Sequence, residues 1–128
     1  MADGWQIVKA EEVDDVLGDY PGEMRFMTSA LGTEQVAFTY RRMPQHTGGK
    51  GSYGHRHKEQ EEVYFVASGK LQFKLGDEIV ELVAWDLLRV APAVMRSFEA
   101  GPDGMDVICI GGRKPARGDT ERDPDFWS

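Results

Sequence analysis

Apolar and polar positions alternate through most of this chain. Val36, Phe38 and Tyr40 interleave with Ala37 and Thr39, the period-two signature of a half-buried strand over Gln35 to Arg42. Leu71, Phe73 and Leu75 repeat the pattern over Lys70 to Leu75. Gly76-Asp77 then turns the chain into a second run from Ile79 to Val83, which predicts a hairpin. Further strands are predicted over Trp5 to Val8, Met24 to Ser29, Asp86 to Val90, Arg96 to Glu99 and Met105 to Gly111, with a turn at Gly101-Pro102-Asp103-Gly104 between the last two. Val13, Val16 and Leu17 stand at helical spacing and predict a short surface helix over Glu11 to Leu17, stopped by Gly18 and followed by a turn at Asp19 to Gly22. About eight short strands with almost no helix predict an all-β fold, an antiparallel β-barrel, sandwich or jelly roll.

Composition narrows the classes. A chain of 128 residues is long enough for one domain with its own core. The net charge of −7, with Lys and Arg unclustered, argues against a nucleic-acid partner, which needs a concentrated basic surface. No window approaches eighteen apolar residues, so no membrane span is expected, and Met1 to Trp5 lacks the basic and apolar character of a signal peptide. The single cysteine, Cys109, leaves no partner for a disulfide within the chain and suits a reducing cytosol. It lies in Met105 to Ile110, where a small buried hydrophobe is expected rather than a nucleophile. Hydrolytic triads, phosphate-cradling glycine loops and Cys-x-x-Cys pairs are absent from the sequence.

The candidate chemistry concentrates between Gly49 and Gly69. His55 and His57 stand at i and i+2, so on a strand they point to one face, about 6.6 Å apart along it, while Arg56 points to the other. With the next strand beginning near Gln60, residues Gln60, Glu62, Tyr64 and Val66 share a face, and Glu62 turns towards the two imidazoles. Two imidazoles and a carboxylate on one side of an ion leave other coordination positions open. The plainer alternative is a satisfied polar cluster without metal. Met43 to Gly54, rich in glycine, is a long connection that delivers the chain to His55, either a functional loop or a surface excursion. His46 within it is expected to be solvated rather than a ligand.

The run Gly49, His55-Arg56-His57, Glu62 and Gly69 resembles the first motif of the cupin superfamily in order and spacing. The resemblance implies a compact cupin barrel or jelly roll with the His and Glu side chains inside, and a homodimer. It also implies a second motif containing Gly-Asp, Pro-x-Gly and a last metal-binding His. The matching stretch keeps Asp86 and Pro92, but Trp85 and Ala93 replace the glycines and Arg96 stands where the last His would be. A guanidinium has five donors and no acceptor, so Arg96 cannot coordinate a cation. Either it occupies the emptied ligand position and pairs with Glu62, or it stands aside and binds an anionic substrate through its planar fork.

The expected organisation is residues 1–34 as N-terminal strands and a short helix on the barrel, 35–112 as the barrel, and 113–128 as a polar C-terminal tail. Phe126-Trp127 ends that tail, and two large aromatics left in water forgo roughly 1.5–3 kcal/mol each, so the tail is expected to dock on the barrel or on a second subunit. The expected metal ligands are His55, His57 and Glu62, for a divalent ion such as Fe, Mn, Ni, Zn or Cu. Arg96, Gln60, Tyr40, Tyr64 and Phe98 are the candidate contacts for a small-molecule ligand. Phe38, Phe73 and Met95 are further apolar candidates for the pocket, and most of this aromatic and apolar set is expected simply to be core. Cupins include dioxygenases and isomerases as well as non-catalytic binding modules, and the fold alone does not select among them.

Overall fold

The computed structural model describes residues 4–49, 51–113 and 117–128. Eight strands form one curled antiparallel sheet: β1 (Glu23–Phe26), β2 (Val36–Met43), β3 (Ser52–His57), β4 (Glu62–Leu75), β5 (Glu78–Val83), β6 (Leu87–Val90), β7 (Arg96–Gly112) and β8 (Thr120–Trp127). The order runs β1-β2-β7-β3-β8, and β4 pairs with β7 along its length, with β6 beside its first half and β5 beside its second. The hairpin at Gly76-Asp77 forms as its chemistry predicts, with Gly76 at φ 58°.

The two longest strands, β4 and β7, carry the bend that closes the barrel. Leu71 pairs with Ala100 and Gly69 with Met105, so residues 101–104 stand opposite Lys70 alone. Gly101 to Gly104 is therefore a wide bulge inside a continuous strand, not the turn between two strands that its Gly-Pro-Asp-Gly chemistry suggests. Pro102 sits where the ladder is interrupted and no N–H is required. Gly69 and Gly104 face each other across the bend at φ 75° and 73°, and a Cβ on Gly69 would lie 2.1 Å from the Gly104 carbonyl oxygen. Inside the bend sits the core, built from Met43, Tyr64, Val66, Leu71, Phe73, Leu82, Val90, Ala100, Met105 and Val107. Phe73 and Phe98, partners in the β4–β7 register, stack at 4.9 Å, and Tyr64 meets Phe73 edge-on at the same separation.

Three N-terminal expectations are corrected. Trp5 to Val8 contributes no strand beyond an isolated bridge at Trp5. Glu11 to Leu17 is not a helix; only a 3-10 turn forms, at Ala10–Glu12. The backbone carbonyls that a helix would use are taken by β1: the Arg25 guanidinium donates to the carbonyls of Glu11 and Val13, and the Asp15 carboxylate accepts from the amides of Leu17 and Met24. Met24 to Ser29 is strand only as far as Phe26. From Met27 the chain turns into the short helix α1 (Met27–Leu31), which Gly32 ends at φ 71° by donating its amide to the Thr28 carbonyl.

The C-terminal stretch also differs from a free polar tail. Thr120–Trp127 is β8, paired with β3, and Trp127 is buried, so the aromatics dock on the chain's own barrel. The Gly51 amide donates to the Trp127 carbonyl at 2.5 Å, and Lys74 donates to the Phe126 carbonyl at 2.6 Å while lying over the Phe126 ring. Gly54 is needed beneath that ring, because a Cβ there would stand 2.4 Å from it. Residues 114–116 of the expected tail and Met1 to Asp3 lie outside the described residues.

The bend gives a direct test. Gly76→Ala, at a positive φ with open space around it, should lower unfolding free energy by about 1 kcal/mol. Gly69→Ala adds a clash with the facing strand and should cost about 3 kcal/mol or more. Equal shifts of the urea midpoint for the two variants would show that the β4–β7 approach is not the constraint described.

Candidate metal centre

The centre is assembled by two strands and one register match. β3 presents His55 and His57 on one face, their rings edge-to-face at 5.2 Å, and the β3–β7 register pairs His55 with Arg96. β4 begins at Glu62, and Glu62 and Tyr64 point inwards on alternate positions. The carboxylate of Glu62 is the meeting point. Its Oε1 lies 3.6 Å from His55 Nε2, 3.4 Å from His57 Nε2 and 3.5 Å from Arg96 Nη2, and it accepts a hydrogen bond from the Tyr64 hydroxyl at 2.8 Å. Its Oε2 lies 3.1 Å from Cys109 Sγ, which donates to it.

Electrostatics keep this carboxylate charged. Burial raises the pKa of Glu62, but the adjacent His55 imidazole, hydrogen bonds from Tyr64 and Cys109, and the charge of Arg96 outweigh it and hold the group at about 2. Burial and the neighbouring carboxylate push the Tyr64 phenol and the Cys109 thiol upwards, so both stay protonated and donate. Cys109 is thus a donor to Glu62 and not a nucleophile.

One ligand atom in each of His55, His57 and Glu62 lies within 4.8 Å of the other two, an arrangement that can hold a metal ion. The donor set fits a divalent ion with open positions. His57 is buried, and its Nε2 has no hydrogen-bond partner, the condition of an imidazole held ready for another ligand. Its Nδ1 lies 2.9 Å from Asp119 Oδ2, in the turn before β8.

No protein-family model matches the chain, and no curated protein matches it. Its similarity is to solved structures. A cupin protein from Bacteroides fragilis is 24% identical, with 90% of this chain and 89% of that chain covered and a TM-score of 0.70. KdgF from Halomonas sp. is 14% identical, over 86% and 94%, with a TM-score of 0.70. Oxalate decarboxylase from Bacillus subtilis is 17% identical with a TM-score of 0.74 over 89% of this chain, which spans 31% of that protein's length. The chain has the cupin fold.

Within the cupin barrel the candidate ligand contacts separate. Arg96 and Tyr64 lie against Glu62. Arg96 is 0% exposed, and its Nη1 donates to the carbonyls of Val94 at 3.0 Å and of His55 and Pro92 at 3.4 Å, while Nε and Nη2 have no hydrogen-bond partner. Three carbonyls thus anchor the side chain. Gln60 packs on Gly111 and donates to the Gly112 carbonyl, beside the centre without touching its ligand atoms. Phe98 belongs to the aromatic core, with Arg41 over its outer side. Tyr40 is turned away: its hydroxyl donates to Asp106, which also binds Arg42 and Ser68 near the surface. The even-numbered positions of β2 face outwards here, which the alternation of Val36, Phe38 and Tyr40 could not reveal because both faces of that strand carry apolar residues. His46, exposed at φ 58°, stands outside the centre.

Two contributors escaped the sequence. Asp119 lay in a stretch whose composition is that of a solvated tail, and only β8 pairing brings it to His57. Cys109 was placed correctly in a strand, but its donation to Glu62 depends on the Tyr64–Cys109 register.

An open groove of about 730 Å³ lies elsewhere, between the N-terminal segment around Ile7 and Val13 and the side chains of Phe26, Ser29 and Ala30.

Glu62 predicts a pH dependence. Its folded pKa lies below the unfolded value of 4.5, so its contribution is present above pH 4.5 and is lost as pH falls towards 2. The full difference amounts to ~3 kcal/mol. In chelator-treated protein, Glu62→Gln should lower stability at pH 7 and flatten the decline between pH 4.5 and 2, as followed by urea unfolding at stepped pH. Parallel curves for the two proteins would contradict the charge state assigned to Glu62.

Proposed function

We propose that this is a metal-dependent cupin in which His55, His57 and Glu62 hold a divalent ion that binds or acts on a small molecule. The observation that carries the reading is the convergence of both Nε2 atoms and the Glu62 carboxylate, with His57 Nε2 buried and unpartnered. Bacillus subtilis oxalate decarboxylase, a neighbour in fold, has Mn(II) centres, which supports a metal here without selecting which. A bound divalent ion would supply Lewis acidity and open coordination positions. The chain's own residues do the rest: Tyr64 and Cys109 hold the Glu62 carboxylate in place, and Arg96 gives the pocket a fixed positive charge that favours an anionic ligand.

Arg96 opposes a cation, and magnitudes decide how much. Unit charges about 4 Å apart interact by roughly 4 kcal/mol at an effective dielectric of about 20. Attraction by Glu62 is of the same order as repulsion by Arg96, so the two offset and imidazole coordination tips the balance towards binding. The reading includes a homodimer and a cytosolic setting. Exposed Trp85 and Leu87 beside Phe65 support the former, and the lone, buried-side cysteine supports the latter.

A second reading is favoured by the 3.5 Å approach of Arg96 Nη2 to Glu62: a metal-free pocket in which the guanidinium neutralises the carboxylate and binds an anionic ligand. Elemental analysis by plasma mass spectrometry, on protein purified without a nickel column, separates the two. Near-stoichiometric metal that falls at least about tenfold in His57→Ala is the expected result. An empty protein that also refuses added metal would overturn the metal reading in favour of the Arg96–Glu62 pair.

A further inference from the structure

The C-terminal segment reaches the centre chiefly through Asp119. Asp119 is buried, 8% exposed, and its two carboxylate oxygens serve different partners: Oδ2 meets His57 Nδ1 at 2.9 Å, and Oδ1 accepts the Glu59 amide at 2.8 Å. Its carbonyl accepts the Lys58 amide at 2.9 Å. Asp119 therefore grips both His57 and the turn that separates His57 from Glu62. Thr120 Oγ1, at 3.4 Å from Nδ1, is the other polar neighbour of that nitrogen.

We propose that Asp119 is a positioning residue that holds the His57 proton on Nδ1 and so presents the Nε2 lone pair to the centre, making β8 part of the metal site. A carboxylate only accepts, and two of them flank this ring: Asp119 Oδ2 at 2.9 Å from Nδ1 in hydrogen-bonding geometry, and Glu62 Oε1 at 3.4 Å from Nε2 without it, so the hydrogen belongs on Nδ1. The other nitrogen, Nε2, is then the free donor atom aimed at Glu62 and His55, in agreement with its lack of any hydrogen-bond partner. Carboxylate partners of this kind fix both the ring orientation and the basicity of a ligating imidazole. The link is reciprocal: an ion bound at Nε2 tightens the Asp119 contact, and docking of β8 favours the ion. The role in metal binding rests on the proposed function, whereas the role in setting the tautomer does not.

The test uses Asp119→Asn. Its amide keeps an oxygen for the Glu59 N–H but turns an NH₂ towards Nδ1, which favours the hydrogen on Nε2. Nitrogen-15 NMR of the imidazoles at pH 8, above the ordinary imidazole range, reads the tautomer in chelator-treated protein. Competition with a chromophoric chelator reads Zn²⁺ affinity. Wild type should show His57 with hydrogen on Nδ1 alone. Asp119→Asn should shift it towards Nε2–H and weaken Zn²⁺ binding by about ten- to a hundredfold. Glu121→Gln, an exposed position on the same strand, should change neither. A wild-type His57 with hydrogen on Nε2, or an unchanged tautomer in Asp119→Asn, overturns the proposal, and the wild-type spectrum decides even where the variant fails to fold. If wild type takes no Zn²⁺, the metal reading falls, and the tautomer still decides the role of Asp119.

Discussion

A carboxylate inside a barrel must be satisfied on both oxygens, and much of this structure follows from meeting that demand at Glu62. An isolated buried charge costs several kcal/mol, so it persists only where donors and opposite charge surround it. Here Tyr64 comes from the same strand two residues on, Cys109 from the facing position on β7, the imidazoles from β3 and the guanidinium from the start of β7. Three strands must keep register for these groups to meet. The bulge opposite Lys70 is one of the devices that lets them, since it allows β7 to serve the centre with Arg96 at one end and Cys109 near the other.

The barrel and the convergence of His55, His57 and Glu62 were legible because they rest on local signals: period two in the strands, His-x-His on one face, and Glu62 at the head of the next strand. What failed to show was long-range competition for backbone groups. Val13, Val16 and Leu17 have helical spacing, yet Arg25 and Asp15 capture the local carbonyls and amides and keep the segment extended. Gly101 to Gly104 has the composition of a turn, but the unbroken partner strand β4 absorbs it as a bulge. Asp119 and Tyr40 show the same limit from opposite sides. A polar segment was recruited to the centre, and an aromatic on a strand apolar on both faces was turned away from it.

The departures from the second cupin motif also acquire physical content. Trp85, where the motif has glycine, stands in the left-handed region at φ 76°, a conformation that glycine adopts freely and that costs a residue with a side chain roughly 1–2 kcal/mol. The surrounding turn holds it there: its amide donates to the Val66 carbonyl at 2.7 Å, Asp86 caps the Val83 amide at 2.9 Å, and its ring rests edge-on against Phe65. Arg96, where the motif has histidine, exchanges a metal ligand for a fixed charge anchored by three carbonyls. One departure carries backbone strain; the other brings a fixed charge to the centre.

The pairing of β8 with β3 has a consequence for how the protein is born. During synthesis β3, carrying both histidines, emerges about halfway along the chain, while the strand that covers its open edge and the aspartate that orients His57 leave the ribosome after all the others. Nascent chains begin to fold from the N-terminus. Until β8 arrives, β3 is joined to the sheet by little more than the His55–Arg96 pair, with its other edge exposed. The centre is therefore assembled late relative to its own histidines, completed only when β8 closes on β3.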